Sequence, residues 1–392
     1  MVDYPKDWER ISIGEIFKVT RGLVLSTDKM KKSKSSIYKY PVYSSQTLNN
    51  GLLGYYKKYL FEDAITWTTD GANAGDTNFR KGRFFCTNVC GVLINEEGYA
   101  NYCIAAIINS ISKDYVSYVG NPKLMNNVVK KINIEVPPLI EQKAIAETLM
   151  TFDEHLGKLE RLINKKKMVR DGAVEDLMTG KTRLDGFDGE WKKFKLEDIC
   201  KEKGMVRGPF GGSLKKEYFV KKGYKVYEQR NAIYKSVDIG NYYIDVNKFE
   251  ELKRFEIKED DFIISCSGTI GEIYRIPKKF KKGIINQALL KLSIDTNLCD
   301  LNFFNIYFSW DRFKTRIIDD TQGGAMKNLV GMDKFRQTSL VIPTDIQEQK
   351  AIADILASMD EEIENLEKGK AKVEKIKAGA MEDLLTGRIR LI

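Results

Sequence analysis

From position 138 the chain sets apolar residues into a polar background at Ile145, Leu149, Phe152, Leu156, Leu159 and Ile163, in steps of four and three. That spacing holds one apolar stripe on one helix face, aimed at a partner helix. The stripe returns at Ile352, Leu356, Met359, Ile363 and Leu366 and continues through Val373, Ile376, Ala380 and Leu384. Pro138 and Pro343 stand just before the two runs, where proline forfeits no helical hydrogen bond. Gly180 and Gly387 follow as C-terminal caps, with Arg183 and Arg390 just beyond, where cations suit the negative helix end. About 40 residues at about 1.5 Å each give a rod of roughly 60 Å. Such a rod outruns a single globular core, and its stripe needs a second rod to cover it.

The two runs are copies. Glu141-Gln142-Lys143-Ala144-Ile145-Ala146 recurs as Glu348-Gln349-Lys350-Ala351-Ile352-Ala353, and Glu175-Asp176-Leu177-Met178-Thr179-Gly180 as Glu382-Asp383-Leu384-Leu385-Thr386-Gly387, both 207 positions on. The segments before them begin alike, with Trp8 to Ile16 matching Trp191 to Ile199 at an offset of 183, so the second segment is 24 residues longer. Repeated ends with divergent middles describe one scaffold carrying two different readers. The pattern divides the chain into a first globular domain (1–137), a first long helix (138–183), a linker with a second globular domain (184–342) and a second long helix (343–392).

Within the first domain, short β-branched and aromatic runs predict strands over 40–43, 64–67, 83–86 and 91–94, then a helix over 102–111. In the second, strands are predicted over 224–227, 261–265, 283–285 and 288–294, and a helix over 301–319. The fold class is therefore α+β: two mixed α/β domains alternating with two long antiparallel coiled-coil helices, a pseudo-twofold repeat. The tight Gly- and Asp-rich stretch 184–190 joins the halves.

A length of 392 residues fits two or three domains. With 30% charged and 43% hydrophobic residues and no apolar run of membrane-spanning length, the chain reads as a soluble globular protein without a membrane partner. Residues 1–5 show no basic-then-apolar leader, which predicts a cytoplasmic location. The six cysteines form neither a disulfide framework nor paired zinc spacing and read as reduced thiols. A net charge of +9 permits a polyanionic partner without naming one.

Candidate readout chemistry sits in paired loops. Ser44, Ser45 and Gln46 correspond to Gln229, Arg230 and Asn231; Thr69 and Asn73 correspond to Ser267 and Thr269; the loop holding Asn126 corresponds to that holding Lys327 and Asn328. Asn and Gln can pair with adenine, Arg and Lys with guanine, and Ser and Thr with base or phosphate. Gln287 joins this set, and Arg80, Lys81, Arg207, Lys278 and Lys279 are expected at phosphates. The same Gly, Ser and Asn residues also make turns, the alternative for each taken singly.

Apparent catalytic motifs fail on context. Thr179-Gly180-Lys181-Thr182 lacks the first glycine of a phosphate loop, since position 175 is Glu175, and it ends a helix instead of starting one. Asp188-Gly189-Glu190-Trp191-Lys192 lies in the linker and not on a core strand, and neither 121–123 nor 137–139 supplies the target-base segment of an amino-methyltransferase. His155 is the sole histidine, which excludes a His-based triad or a multi-histidine metal site.

The duplicated unit, with Pro138, Glu141, Gln142, Ile145, Ala146, Leu177 and Thr179-Gly180-Lys181 in one copy and Pro343, Glu348, Gln349, Ile352, Ala353, Leu384 and Thr386-Gly387-Arg388 in the other, resembles the specificity subunit of type I restriction-modification systems. Gly268-Thr269-Ile270-Gly271, Asn286-Gln287 and 326–329 are similar to that family's recognition domains, from which the first unit departs at 71–75 and 124–127. The resemblance implies two target recognition domains, each reading half of a bipartite double-stranded DNA site, with the helices setting the spacer. It implies a non-catalytic chain that binds no cofactor and recruits two methyltransferase subunits using S-adenosylmethionine and two restriction subunits using ATP and Mg. A coiled-coil protein-interaction adaptor, and the specificity chain of a system with one fused methylase-nuclease partner, are the alternatives.

Overall fold

The computed structural model describes residues 4–45, 48–319, 328–329 and 331–391. Two compact units emerge: unit 1 takes residues 1–162 and 366–392, and unit 2 takes 163–365. This division differs from the four-part linear reading, because each unit includes part of both long helices. Among the described residues no helix is long and apolar enough to cross a membrane.

In unit 1 the order is β1 (Glu9–Ser12), α1 (Ile13–Ile16), β2 (Lys18–Arg21), β3 (Tyr40–Tyr43), β4 (Leu52–Tyr56), β5 (Phe61–Thr68), β6 (Thr77–Cys86), β7 (Cys90–Ile94), α2 (Tyr102–Ile111), α3 (Asn126–Val129) and β8 (Asn133–Val136), then the first part of α4 (Leu139–Met178). Six strands form one sheet in the order β2-β7-β5-β6-β3-β4, with β3 parallel to β6 and the other pairs antiparallel. Separately, β1 pairs with β8, the strand that leads into α4.

Unit 2 repeats this plan. It runs β9 (Trp191–Lys195), β10 (Cys200–Arg207), β11 (Phe219–Val220), β12 (Tyr224–Tyr227), α5 (Gln229–Ile233), β13 (Tyr243–Ile244), α6 (Val246–Glu251), β14 (Phe262–Ser265), β15 (Ile273–Arg275), β16 (Gly283–Ile285) and β17 (Leu289–Ile294). There follow α7 (Leu301–Ser309), α8 (Asp311–Ile317), β18 (Ile318–Asp319), β19 (Asn328–Leu329), α9 (Met332–Gln337), β20 (Ser339–Pro343) and α10 (Ile346–Leu385). The ladder β10-β17-β14-β15 matches β2-β7-β5-β6, and the parallel pair β12-β16 matches β3-β6. Thus β6 of unit 1 corresponds to two strands of unit 2, β15 and β16. The expected helix over 301–319 is two helices, because Trp310 adopts extended backbone (φ −68°, ψ 128°) between them.

The long helices hold 40 residues each. Pro138 directly precedes α4, whereas α10 begins three residues beyond Pro343, with the Asp345 carboxylate accepting from Gln347 N at 2.8 Å as its cap. Gly180 and Gly387 both adopt φ +68°, the left-handed cap expected of them. Inside unit 1, Lys377 bonds Asp153; inside unit 2, Arg170 holds Asp360 at 2.8 and 3.1 Å. These two pairs are the same pair under the 207-residue repeat, and in each unit the partner numbers fall on one helix as they rise on the other, so the helix segments run antiparallel.

Fourteen of the fifteen stripe residues are buried or half-buried, and Ile376 is the exception at 49% exposed. The stripe does not serve helix pairing alone. Ile145 and Leu149 join the unit 1 core with Ile104, Ile108, Ile134 and Leu384, and Ile352 and Leu356 join the unit 2 core with Phe304, Phe308, Leu177 and Met178. Each helix start is therefore part of a globular core.

The repeated Glu-Gln dipeptide explains this anchoring. In unit 1 the buried Glu141 accepts from Trp8 Nε1 at 3.1 Å and from Arg390 Nη2 at 2.7 Å, and Arg390 also reaches Asp7 at 2.8 Å. In unit 2 the buried Glu348 accepts from Trp191 Nε1 at 3.2 Å and from Arg183 at 2.7 and 2.9 Å. Arg183 and Arg390 thus pair with these carboxylates and do not act through the helix-end dipole expected from their position. Next door, the Gln142 and Gln349 amides donate to Pro137 O and Pro343 O at 2.7 and 2.8 Å. Their carbonyls accept from Asn101 Nδ2 and Asp300 N, both at 2.7 Å, and so tie the caps of α2 and α7 to the long helices.

Candidate nucleic-acid interface

Among the described residues, the loops predicted from the sequence converge at one end of each sheet, and backbone bonds lock them together. In unit 1, Gly22 N donates to Cys90 O (3.0 Å), Thr87 N to Tyr43 O (2.9 Å), Thr69 N to Val89 O (3.0 Å) and Leu124 N to Thr69 O (2.9 Å). Unit 2 repeats the scheme, with Gly208 N to Leu289 O, Asn286 N to Tyr227 O and Cys266 N to Ala288 O, each at 2.9 Å. Strand ends, where ladders run out, leave polar side chains and backbone groups available to a ligand, the usual place for recognition on a rigid scaffold.

Within unit 2, Ser267 donates to the half-buried Gln229 at 2.9 Å, while Arg230, Thr269 and Gln287 are exposed. Arg207 closes β10 with its guanidinium carbon 5.8 Å from the ring centre of exposed Phe210, and its Nε is buried without a partner among the described residues. Asn231 is fully buried; it donates to Ser236 O and Ile239 O and accepts from Glu228 N, all at 2.8 Å. It builds the turn and has no group left to read a base, so its expected readout role gives way to the turn-making one.

In unit 1, Ser44 and Ser45 are half-buried, with the Ser44 hydroxyl accepting from Thr87 Oγ1 at 3.0 Å. Asn73 donates to Ser45 O at 3.4 Å and bridges two of the loops. Thr69 is fully buried, its hydroxyl 2.6 Å from Asp70 Oδ2 and 3.0 Å from Val89 O, so it too holds the loops in place. Asn126 donates to Thr20 O at 3.2 Å and keeps a buried Oδ1 unpartnered among the described residues. Lys81 is exposed, whereas Arg80 is only 9% exposed and lies beneath the loops. Lys278 and Lys279 are exposed in the 276–282 connection, which leaves the end of β15 opposite the 265–271 loop and so away from the cluster. Gln46 and Lys327 lie outside the described residues, and so does the side chain of Asn328.

One functional candidate escaped the sequence reading. Arg21 ends β2 as Arg207 ends β10, each followed by a glycine packed against the strand turn. A Cβ on Gly22 would lie 2.2 Å from Thr87 O, and one on Gly208 1.8 Å from Asn286 O, so only glycine permits the approach. Exposed Val24 and Phe210 follow three residues after the arginines. The signal was a repeated Arg-Gly, 186 positions apart and so matching neither the 183 nor the 207 offset.

Two α+β units with matching loop clusters, joined by repeated helices, define a duplicated recognition scaffold. The family model of the type I restriction modification DNA specificity domain matches residues 5–166 and again 188–375. The chain belongs to this family and is a DNA specificity subunit of the type I restriction-modification class. It is 32% identical over 267 residues to a Mycoplasma pneumoniae protein assigned to the type I specificity subunits, covering 67% of this chain and 68% of that protein. It is 25% identical over 430 residues to the MjaVIII type I restriction enzyme specificity subunit of Methanocaldococcus jannaschii, covering 99% and 94%. In fold it is similar to the crystal structure of a type I S subunit from M. genitalium, with a TM-score of 0.61 at 17% identity over 98% of this chain and 96% of that one. A second solved structure, from work on assembly of the type I R-M system, has a TM-score of 0.60 at 12% identity over 99% and 100%.

Proposed function

We propose that the chain is the non-catalytic reader of a type I restriction-modification complex and acts on double-stranded DNA in the cytoplasm. Each unit reads one half of a bipartite site through its loop cluster, and the paired long helices act as the spacer. The observation carrying this reading is that the two clusters share one backbone frame while differing in side chains: Ser44, Ser45 and Asn73 in unit 1 against Gln229, Arg230, Ser267 and Thr269 in unit 2. A common frame with different chemistry suits two unlike half-sites. The repeat also supplies two equivalent docking faces, one for each of two methyltransferase subunits carrying S-adenosylmethionine, joined by two restriction subunits using ATP and Mg.

Sequencing of methylated adenines in cells expressing the chain with its methyltransferase should yield one bipartite motif. Exchanging residues 8–137 for those of a relative should change one half-site and leave the other. A motif unaltered by that exchange would sink the reading, and binding of the complex to duplex DNA without sequence preference would favour a protein-interaction adaptor.

A further inference from the structure

The duplication lets unit 2 serve as the reference for unit 1, and one position departs sharply. Aligned through their ladders, Thr66, Asn78, Arg80, Cys86 and Cys90 of unit 1 occupy the register positions of Ile263, Tyr274, Ile276, Ile285 and Leu289 in unit 2. In unit 2 these positions, apart from partly buried Tyr274, form a buried apolar cluster with Tyr227, roofed by Ala232 of α5 and by Val237. Unit 1 has Tyr43 in place of Tyr227 and, lined by Asn78 and Arg80, a polar cleft of about 270 Å³.

Arg80 forms one wall of that cleft. Its Nε donates to Thr66 Oγ1 at 3.0 Å, and its guanidinium carbon sits 3.8 Å from the Tyr43 ring centre. Among the described residues no carboxylate pairs with it; Asp76, which also lines the cleft, is held by Lys113 at 2.9 Å. Burial pulls the Arg80 pKa below its ordinary value, against the opposing influence of Tyr43 and Cys90. A buried cation lacking an acidic partner is costly unless an anion completes it. Asn78 and Asn109 flank it, and because Asn109 Oδ1 accepts from Thr77 N at 2.8 Å, its Nδ2 is the group left to donate. Ser44 and Asn73, from the readout loops, form the rim.

We infer that this cleft seats a phosphate of the DNA backbone beside the half-site read by unit 1, with the Arg80 guanidinium as its principal donor. A planar fork of N–H donors with neighbouring amides matches phosphate geometry. Unit 2, with Ile276 in that place, has no such seat, so the two units grip the duplex differently. The inference rests on the DNA-reading function proposed above.

The test uses the full chain assembled with its methyltransferase and a duplex carrying its methylation motif, with affinity measured between about 50 and 200 mM salt. Losing one phosphate contact should flatten the log–log salt dependence by about 0.9. Arg80→Met is expected to show that loss and Arg80→Lys to retain the slope. Asn78→Tyr, which installs the unit 2 side chain and leaves Arg80 in place, should flatten it as Arg80→Met does, with the motif unchanged throughout. Slopes equal to the unsubstituted complex in both Arg80→Met and Asn78→Tyr would overturn the inference. So would unchanged slopes together with inorganic phosphate raising the melting temperature of the unsubstituted chain but not of Arg80→Met, which assigns the cleft to a free anion. Absence of any sequence preference in the unsubstituted complex would instead remove the underlying function and the cleft's role with it.

Discussion

Glu141 and Glu348 show how a charged residue comes to be fully buried at the start of a long helix. Each carboxylate is met by an indole N–H and a forked guanidinium, so its oxygens are satisfied and its charge is balanced. Removing the guanidinium leaves a buried carboxylate with no cation beside it, and removing the carboxylate costs the guanidinium its buried anion, a loss on the order of 3 kcal/mol. We expect Glu348→Gln and Arg183→Met each to lower the unfolding free energy read from urea titration by that amount; a change under about 0.5 kcal/mol would make the pair an ordinary surface bridge. Asp7 adds a pH dependence. The hydrogen bond from Arg390 holds its pKa below 3.8, so its contribution to stability is present at neutral pH and is lost as pH falls through that lowered value. Thermal melting of Asp7→Asn below about pH 4 should therefore fall less steeply with acid than that of the unsubstituted chain.

At the scale of elements, the close approach of Gly22 and Gly208 to neighbouring carbonyls decides where each readout loop starts. Gly208→Ala forces a methyl to within 1.8 Å of Asn286 O, and the loop must shift or the strand end must part. We expect Gly208→Ala to destabilise unit 2 by about 2 kcal/mol and to weaken site binding, whereas Gly331→Ala, whose Cβ meets nothing within 4 Å, should do neither. Strands and helices with strong local signals were legible in the sequence: Tyr40–Tyr43, Tyr224–Tyr227 and Tyr102–Ile111 fall on the predicted residues. The repeat also foretold the long helices, since a stripe at helical spacing needs no tertiary information. Trp310 was missed because the apolar pattern runs on through it and only its backbone turns aside. The Glu-Gln pair was visible as a repeat, but the partners of Glu141 lie 133 and 249 positions away in sequence, beyond any local pattern. Loop residues were the least legible: Asn231 and Thr69 read as base contacts, yet burial assigns them to turns, and burial is set by the whole fold.

For the molecule as a whole, the consequence of the repeat is that unit 1 draws on both ends of the sequence. Gly387 lies against Pro5 and Trp8, and Arg390 joins Asp7 to Glu141, while the matching positions of unit 2, Gly180 and Arg183, come from the middle of the chain. Deleting residues 388–392 removes no part of a readout loop, yet it strips the buried Glu141 of its cation. We expect that deletion to loosen residues 4–16 and 139–149, read as faster amide hydrogen exchange there, while 191–199 and 346–356 keep their protection. Arg183→Met should give the converse pattern. If each unit reads its own half-site, methylome sequencing of the truncated chain with its partners should show relaxed preference at one half of the motif and full preference at the other. Equal loosening of both units by either change would mean that the two clamps act as one cooperative device and not as separate locks on two readers.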